Sequence, residues 1–259
     1  MAGSERDHSR CCFTEWLNTQ ESDLSDLLRA QAQTPRAGTI SPADRHSLAQ
    51  LAQNIIDHFQ DYINKRSHFA RRDATAFFAP AWCSPLENSL LWIAGCRPCL
   101  YIRLVYALCG SEFESQLDEF LQGTRTGNLG ELSWNQFSQV NDLQMKTIRE
   151  EDRLSVQMAG LQDEVADQPL AVLANKAVRV GEPNREVERA LDEHARGMAR
   201  ILEEADELRL RTLKELISFL TPLQAVEFLL AAKKLHLSVR EWGKSRDHLH
   251  GRSSDPPVS

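Results

Sequence analysis

The chain has 259 residues, of which 42% are apolar and 26% charged, which is the ordinary balance of a globular protein with a real core. Its formal net charge is -7, and Lys and Arg alternate with Asp and Glu as on solvated helix faces. No concentrated basic face of the kind nucleic acids need is present. Glycine (12) and proline (10) are few and fall at breaks between periodic stretches, which favours helices over many short strands.

The opening Met1 to Arg10 is polar and lacks the apolar stretch of a signal peptide. The nearest approach to a membrane span, Leu90 to Leu108, is interrupted by Arg97, Pro98 and Arg103 and fits a buried helix pair better. These features predict an intracellular protein with reduced cysteines.

Residues 1–12 read as disordered. The first helix is predicted over Phe13 to Gln33, with Trp16, Leu17, Leu24, Leu27 and Leu28 available for burial. A loop holding Pro35 and Gly38 leads to a second helix, Pro42 to Arg72, whose stripe is Leu48, Leu51, Ile55, Phe59, Tyr62 and Phe69. An aromatic-rich connection follows over 73–84. Gly95 and Pro98 then divide the most apolar segment, 84–111, into two short helices, and a further helix runs to about Leu121. Gly123 to Gly130 reads as a surface loop. A long helix occupies Trp134 to Ala166, with Leu154, Met158, Leu161 and Val165 on one face. A shorter helix over 167–184 ends at Gly181 and Pro183. The clearest periodicity comes next: Val187, Leu191, His194, Met198, Ile201, Ala205, Leu208 and Thr212 alternate steps of four and three, as in a long amphipathic helix packed along a neighbour. The last helix is predicted from Pro222 to Trp242, with a frayed polar tail over 244–259.

Helix starts carry a repeated device. Ser41-Pro42-Ala43-Asp44, Ser84-Pro85-Leu86-Glu87 and Thr221-Pro222-Leu223-Gln224 place a hydroxyl at the N-cap, proline at N1 and a reciprocating group at N3; Ser133 with Gln136 does so without proline. Each such cap contributes on the order of 1 kcal/mol.

Signs of catalysis are weak. Cys96-x-x-Cys99 lacks the second pair a zinc site needs and the preceding strand a thioredoxin-like site needs, so structural packing is its reading. His194 falls on an apolar helix face, and His236 lies in the last helix beside Lys233 and Lys234. No phosphate-binding glycine loop, His-Glu-x-x-His motif or Ser-His-Asp order appears, and the chain is not expected to be an enzyme. Trp82, Glu87, Trp92, Arg97 and Arg103 form the more suggestive cluster. Tryptophan and arginine are favoured in docking surfaces, so these five are a candidate pocket, with a core holding a partly buried salt bridge as the alternative.

Trp82-Cys83-Ser84-Pro85-Leu86-Glu87 and Leu91-Trp92-Ile93-Ala94-Gly95-Cys96-Arg97-Pro98 resemble the signature of the plant Delay-of-Germination domain, which also forms the C-terminal half of the TGA bZIP transcription factors. Further matches are Glu15-Trp16 with Gln20, Val180 to Asn184, Glu204 to Arg209 with Thr212-Leu213, Lys233 to Ser238, and Glu241-Trp242-Gly243; the last two place the chain nearer the dormancy proteins than the TGA factors. The resemblance covers about residues 13–243. It implies control of seed dormancy within abscisic acid signalling, through binding and restraint of type 2C protein phosphatases, in nucleus and cytoplasm. The implied contact is the N-terminal segment, where Phe13, Glu15 and Trp16 match while Cys11, Cys12 and Thr14 depart. The resemblance also implies haem held by two histidines one turn apart; His236 matches the first, and Arg240 stands at the second, leaving His248 or His250 as substitutes. Homodimers and bZIP partners are the remaining implied associations. Direct DNA binding is not expected, because the residues before Phe13 are few and not basic. The expected architecture is all-α, a single multi-helix bundle of long and short amphipathic helices.

Overall fold

A computed structural model of the protein describes residues 2–34, 40–115, 129, 132–165, 167, 170–176, 179–180 and 184–251. Among them the architecture is all-α. In chain order the helices are α1 (Ala2–Gln33), α2 (Pro42–Ala70), α3 (Thr75–Phe78), α4 (Pro85–Ser89), α5 (Cys99–Ser115), α6 (Trp134–Asp163), α7 (Leu170–Lys176), α8 (Arg185–Phe219) and α9 (Pro222–Leu249). Extended pairing within the described residues is limited to an isolated antiparallel bridge between Trp92 and Gly95.

The caps form as the sequence predicts. Ser84, Ser133 and Thr221 each accept from the N3 backbone, and Glu87, Gln136 and Gln224 reach back to the cap nitrogens. Ser41 accepts from the Asp44 N–H. Two boundaries differ from expectation. Residues 2–12, expected to be irregular, continue α1, with Ser9 and Cys12 buried and His8 stacked on Phe69. At the other end α9 runs past Gly243 to Leu249, because Asp247 and Gly243 are buried against the bundle. The helix expected to end near Leu121 is continuous from Cys99 to Ser115; its end and the loop after Gly123 lie outside the described residues, as do the break at Gly181 and Pro183 and most of the tail.

Helix α2 lies between α8 and α9. Helix α1 packs on α2 and α9, α6 packs along α8, and the short α4 sits on α9. The main core draws Leu27, Ile55, Ile102, Val140, Leu216 and Phe228 from six helices, all of them buried. A smaller cluster of Leu154, Ile201, Ala205 and Leu208, joined by Ile93, seals α6 to α8. Burial on this scale is what makes helices of such length stable, since isolated helical propensity is marginal. The predicted α8 stripe is buried from Met198 onward, but Leu191 is exposed, as the helix outruns its neighbour there.

Close approach is demanded at Gly243. A Cβ there would stand 2.9 Å from the Ser84 Cβ and closer still to its hydroxyl, so the α4 cap presses on the α9 backbone. Gly160 in α6 has nothing within 4 Å of its missing Cβ. Gly243→Ala should therefore lower unfolding stability by about 1–3 kcal/mol through overpacking. Gly160→Ala should raise it by roughly 0.5–1 kcal/mol through helix propensity. Urea denaturation of the two variants checks both signs.

Candidate functional site

The segment Trp92 to Cys96 folds as a reverse turn. The Trp92 N–H donates to the Gly95 carbonyl at 2.8 Å, and the Gly95 N–H donates back to the Trp92 carbonyl at 3.1 Å. Its two central residues, Ile93 and Ala94, have φ of 43° and 58°. That is the mirror-image turn normally made by Asn-Gly, and it is strained for a β-branched residue. The strain has a visible return: it directs successive carbonyls to two buried arginines. Arg209 donates from Nε to the Cys96 carbonyl at 2.7 Å and from Nη2 to the Trp92 and Ile93 carbonyls at 2.6 and 2.9 Å. Arg66 donates from Nη2 to the Ala94 carbonyl at 2.6 Å. Gly95 is required because a Cβ would meet the Arg209 Cζ at 2.8 Å.

Asp206 supplies the negative charge. Its Oδ1 accepts from Arg209 Nη1 at 2.6 Å, and its Oδ2 faces Arg66 Nε at 3.5 Å. Among the described residues those last two atoms have no other hydrogen-bond partner, so each compensates the other. All three side chains are at least 94% removed from solvent. Trp92 covers the group, with the Arg209 guanidinium 5.4 Å from its ring, and anchors to α6 by donating from Nε1 to the Ser155 hydroxyl at 3.0 Å.

Two further ionic nodes fix α9. Lys233 donates to Asp23 Oδ2 at 2.8 Å, while His58 Nδ1 stands 2.8 Å from Asp23 Oδ1, so one carboxylate of α1 ties α2 and α9 together. Burial lowers the Lys233 pKa, and Asp23 opposes that shift. Near the other end of α9, Arg240 pairs with Glu87 Oε1 at 3.0 Å and lies 5.3 Å from the Phe13 ring.

The residues singled out from the sequence fall into these nodes rather than into one pocket. Trp82 packs edge-on against Phe77 with centroids 5.8 Å apart. Glu87 caps Ser84 as the sequence predicts, and the salt bridge it makes is with Arg240, outside the cluster of five, which helix α9 brings alongside. Arg97 pairs with Glu151 at 3.0 Å and Trp92 belongs to the cradle, while Arg103 is exposed. None of the five lines the cleft at Arg71, Arg196 and Glu203 or the one at Gln31, Leu108 and Lys234. Trp16 is buried, stacked on Tyr62 at 4.5 Å with Lys233 5.0 Å from its ring, and Phe13 is half-buried near Trp82. Glu15 alone of that trio is exposed, beside Lys65 at 3.1 Å.

Cys12 is buried and Cys83, Cys99 and Cys109 are half-buried, while Cys11 and Cys96 are exposed, so the packing expected of the Cys96–Cys99 pair holds for Cys99 alone. Burial, followed by Glu87, pushes the Cys83 thiol up to about 12, and burial followed by Glu151 pushes Cys99 to about 11. Cys96 lies 3.2 Å from the Tyr101 hydroxyl. Among the described residues no three His, Cys, Asp or Glu side chains are grouped to hold a metal. The residues do not fit a haem held between two histidines. Arg240 is occupied by Glu87, and His236 and His248 belong to one helix, roughly 18 Å apart along its axis. Crowding around the His236 ring, together with Lys233 and Arg240, lowers its pKa. Glu87 opposes that shift.

Arg66, Asp206, Arg209, Asp23 and Lys233 are absent from the sequence-based candidates. Asp206 and Arg209 sit in the Glu204–Arg209 stretch, which reads as a charged solvated face by composition. Asp206→Asn should destabilise the fold by about 3–5 kcal/mol, because it leaves two buried guanidinium groups without a counter-charge. Ala94→Gly should stabilise it by roughly 1 kcal/mol by relieving the left-handed backbone. Chemical denaturation with intact near-UV circular dichroism at zero denaturant checks both.

The model of the family described as seed dormancy control matches residues 23–107, a stretch that includes Asp23, Arg66 and the turn. Protein DOG1-like 3 of Arabidopsis thaliana is 41% identical over 91% of this chain and 84% of its own length. Protein RESPONSE TO ABA AND SALT 1 from the same plant is 26% identical over 89% of this chain and 93% of its own length. Transcription factor TGA2 of Arabidopsis is similar at 23% identity over 88% of this chain, which corresponds to 59% of that longer protein. With one relative above 40% identity along nearly the whole chain, this protein belongs to the Delay-of-Germination family of seed dormancy control.

Proposed function

We propose that this chain acts in abscisic acid signalling as a binding protein, not a catalyst, and that it restrains type 2C protein phosphatases in nucleus and cytoplasm. The observation that carries the reading is the geometry of α1. Phe13 and Trp16 face inward and hold the helix down, while Cys11, Thr14, Glu15 and Asn18 are exposed along its outer side. The segment that the family resemblance marks as the phosphatase contact is thus a fixed, outward polar ridge. The aromatic pair positions it, and Glu15 with its neighbours meets the partner. The relative whose name refers to a response to ABA supports the signalling context. A second reading, pairing with bZIP factors, has the similarity to Transcription factor TGA2 in its favour. Self-association has a candidate face in Leu235, Trp242 and Leu249, which recur every seven residues on α9 and are all exposed.

Pull-down of purified type 2C phosphatases, with bZIP factors in parallel, tests the proposal. Glu15→Arg should weaken phosphatase capture about tenfold, a loss of roughly 1.4 kcal/mol, without moving the unfolding midpoint. Trp16→Ala should instead lower stability by about 3–5 kcal/mol, as loss of a buried aromatic does. Capture that is indifferent to Glu15→Arg and Thr14→Arg would remove the α1 ridge from the account, and capture of bZIP factors alone would favour the second reading.

A further inference from the structure

A cleft of about 330 Å³ opens between the end of α2 and the middle of α8, lined by Arg71, Arg196, Ala199, Arg200 and Glu203. On a chain of net charge -7, it gathers three guanidinium groups around one carboxylate. Arg71 grips Glu203 side-on, Nε to Oε1 at 2.7 Å and Nη2 to Oε2 at 3.5 Å, and the Ser67 hydroxyl donates to the same Oε1 at 2.7 Å. Burial works against ionisation of Glu203, but the hydrogen bonds from Arg71 and Ser67 outweigh it and hold the carboxyl below its ordinary value. Arg71, though largely exposed, is thereby oriented, with Nη1 left to donate. Arg196 and Arg200 stand one turn apart on α8, and among the described residues neither has an ion-pair partner. Like charges at that spacing repel. Allowing for the partial negative charge at the end of α2, the cleft retains an excess of about 1.5 positive charges.

We propose that this cleft docks a phosphorylated serine or threonine side chain of a partner protein. A phosphomonoester offers nearly two negative charges and three acceptor oxygens, and guanidinium pairs bind it through parallel charge-assisted bonds. Among the described residues Ala199 is the only apolar one lining the cleft, and the cleft is open, so they do not enclose the body of a small molecule or anchor acyl chains. A phosphate carried on a peptide needs neither, because the flanking chain makes its own contacts outside. The site lies on α2 and α8, shares no lining residue with the α1 ridge, and is argued independently of the phosphatase reading.

The test is fluorescence anisotropy of a labelled short peptide of mixed flanking sequence centred on phosphoserine, beside its unphosphorylated twin. Inorganic phosphate and phosphatidic acid vesicles serve as competitors. The phosphopeptide should bind at least about tenfold more tightly than its twin. The double variant Arg196→Ala/Arg200→Ala, both exposed, should abolish that preference with an unchanged unfolding midpoint. Arg149→Ala/Arg211→Ala, exposed elsewhere, should retain it. Equal binding of the two peptides, a preference that survives the Arg196/Arg200 change, or displacement by the vesicles but not by inorganic phosphate would overturn the proposal.

Discussion

A carboxylate shared by two guanidinium groups, all three out of water, is the interaction on which the rest of this structure leans. Asp206 alone cannot neutralise both Arg66 and Arg209, and the remaining positive charge is met by the carbonyls of Trp92, Ile93, Ala94 and Cys96. Those carbonyls reach the arginines only because the backbone at Ile93 and Ala94 takes a left-handed conformation that neither residue prefers. Desolvation of the ions and strain in the turn are thus two sides of one arrangement. A buried pair of this kind is a poor source of net stability, since an apolar replacement of similar shape often does as well. Its effect is specification: a turn of one sequence fits one slot between α2, α6 and α8.

The same logic is repeated along α9. Lys233 reaches Asp23 and the face of Trp16, and ten residues on Gly243 receives the cap of α4 while Arg240 takes Glu87. Helices from distant parts of the chain meet at polar contacts with fixed geometry, and the apolar core fills the space between them. Apolar packing tolerates substitution provided volume is kept. Buried charges tolerate little, which places the tightest constraints of the fold at these nodes.

Helix content, the order of the long helices and their N-terminal caps were legible from the residues, because proline, hydroxyl and N3 group act locally. Register of the α8 stripe was legible from Met198 onward for the same reason that amphipathic periodicity is. What could not be read was the fate of charged residues. Asp206 and Arg209 lie three apart with alternating charge around them, and that spacing is the same whether the face meets water or the carbonyls of a turn more than a hundred positions away. The family signature pointed at the right segment, yet its tryptophan, arginine and glutamate pointed to a pocket. Glu87 went to Arg240 and Arg97 to Glu151, partners fixed by tertiary packing alone. The helical start at Ala2 escaped because its stabilising contact, His8 on Phe69, comes from the end of another helix.

Since Trp82, Glu87 and Trp92 of the signature are engaged within the bundle, the surfaces open to a partner under the proposed function lie elsewhere. On α1 there is a polar ridge bearing Thr14 and Glu15; on α8 there is a pair of arginines with no ion-pair partner among the described residues; on α9 there is an apolar stripe. These surfaces differ in chemistry, and each rests on a helix pinned from behind by a buried ionic or aromatic contact. A substitution in the interior therefore reaches recognition indirectly, by loosening the helix that carries a surface. A substitution on a surface leaves the fold alone. Loss of binding with loss of stability, and loss of binding without it, are consequently different results in this protein, and only the second locates a contact.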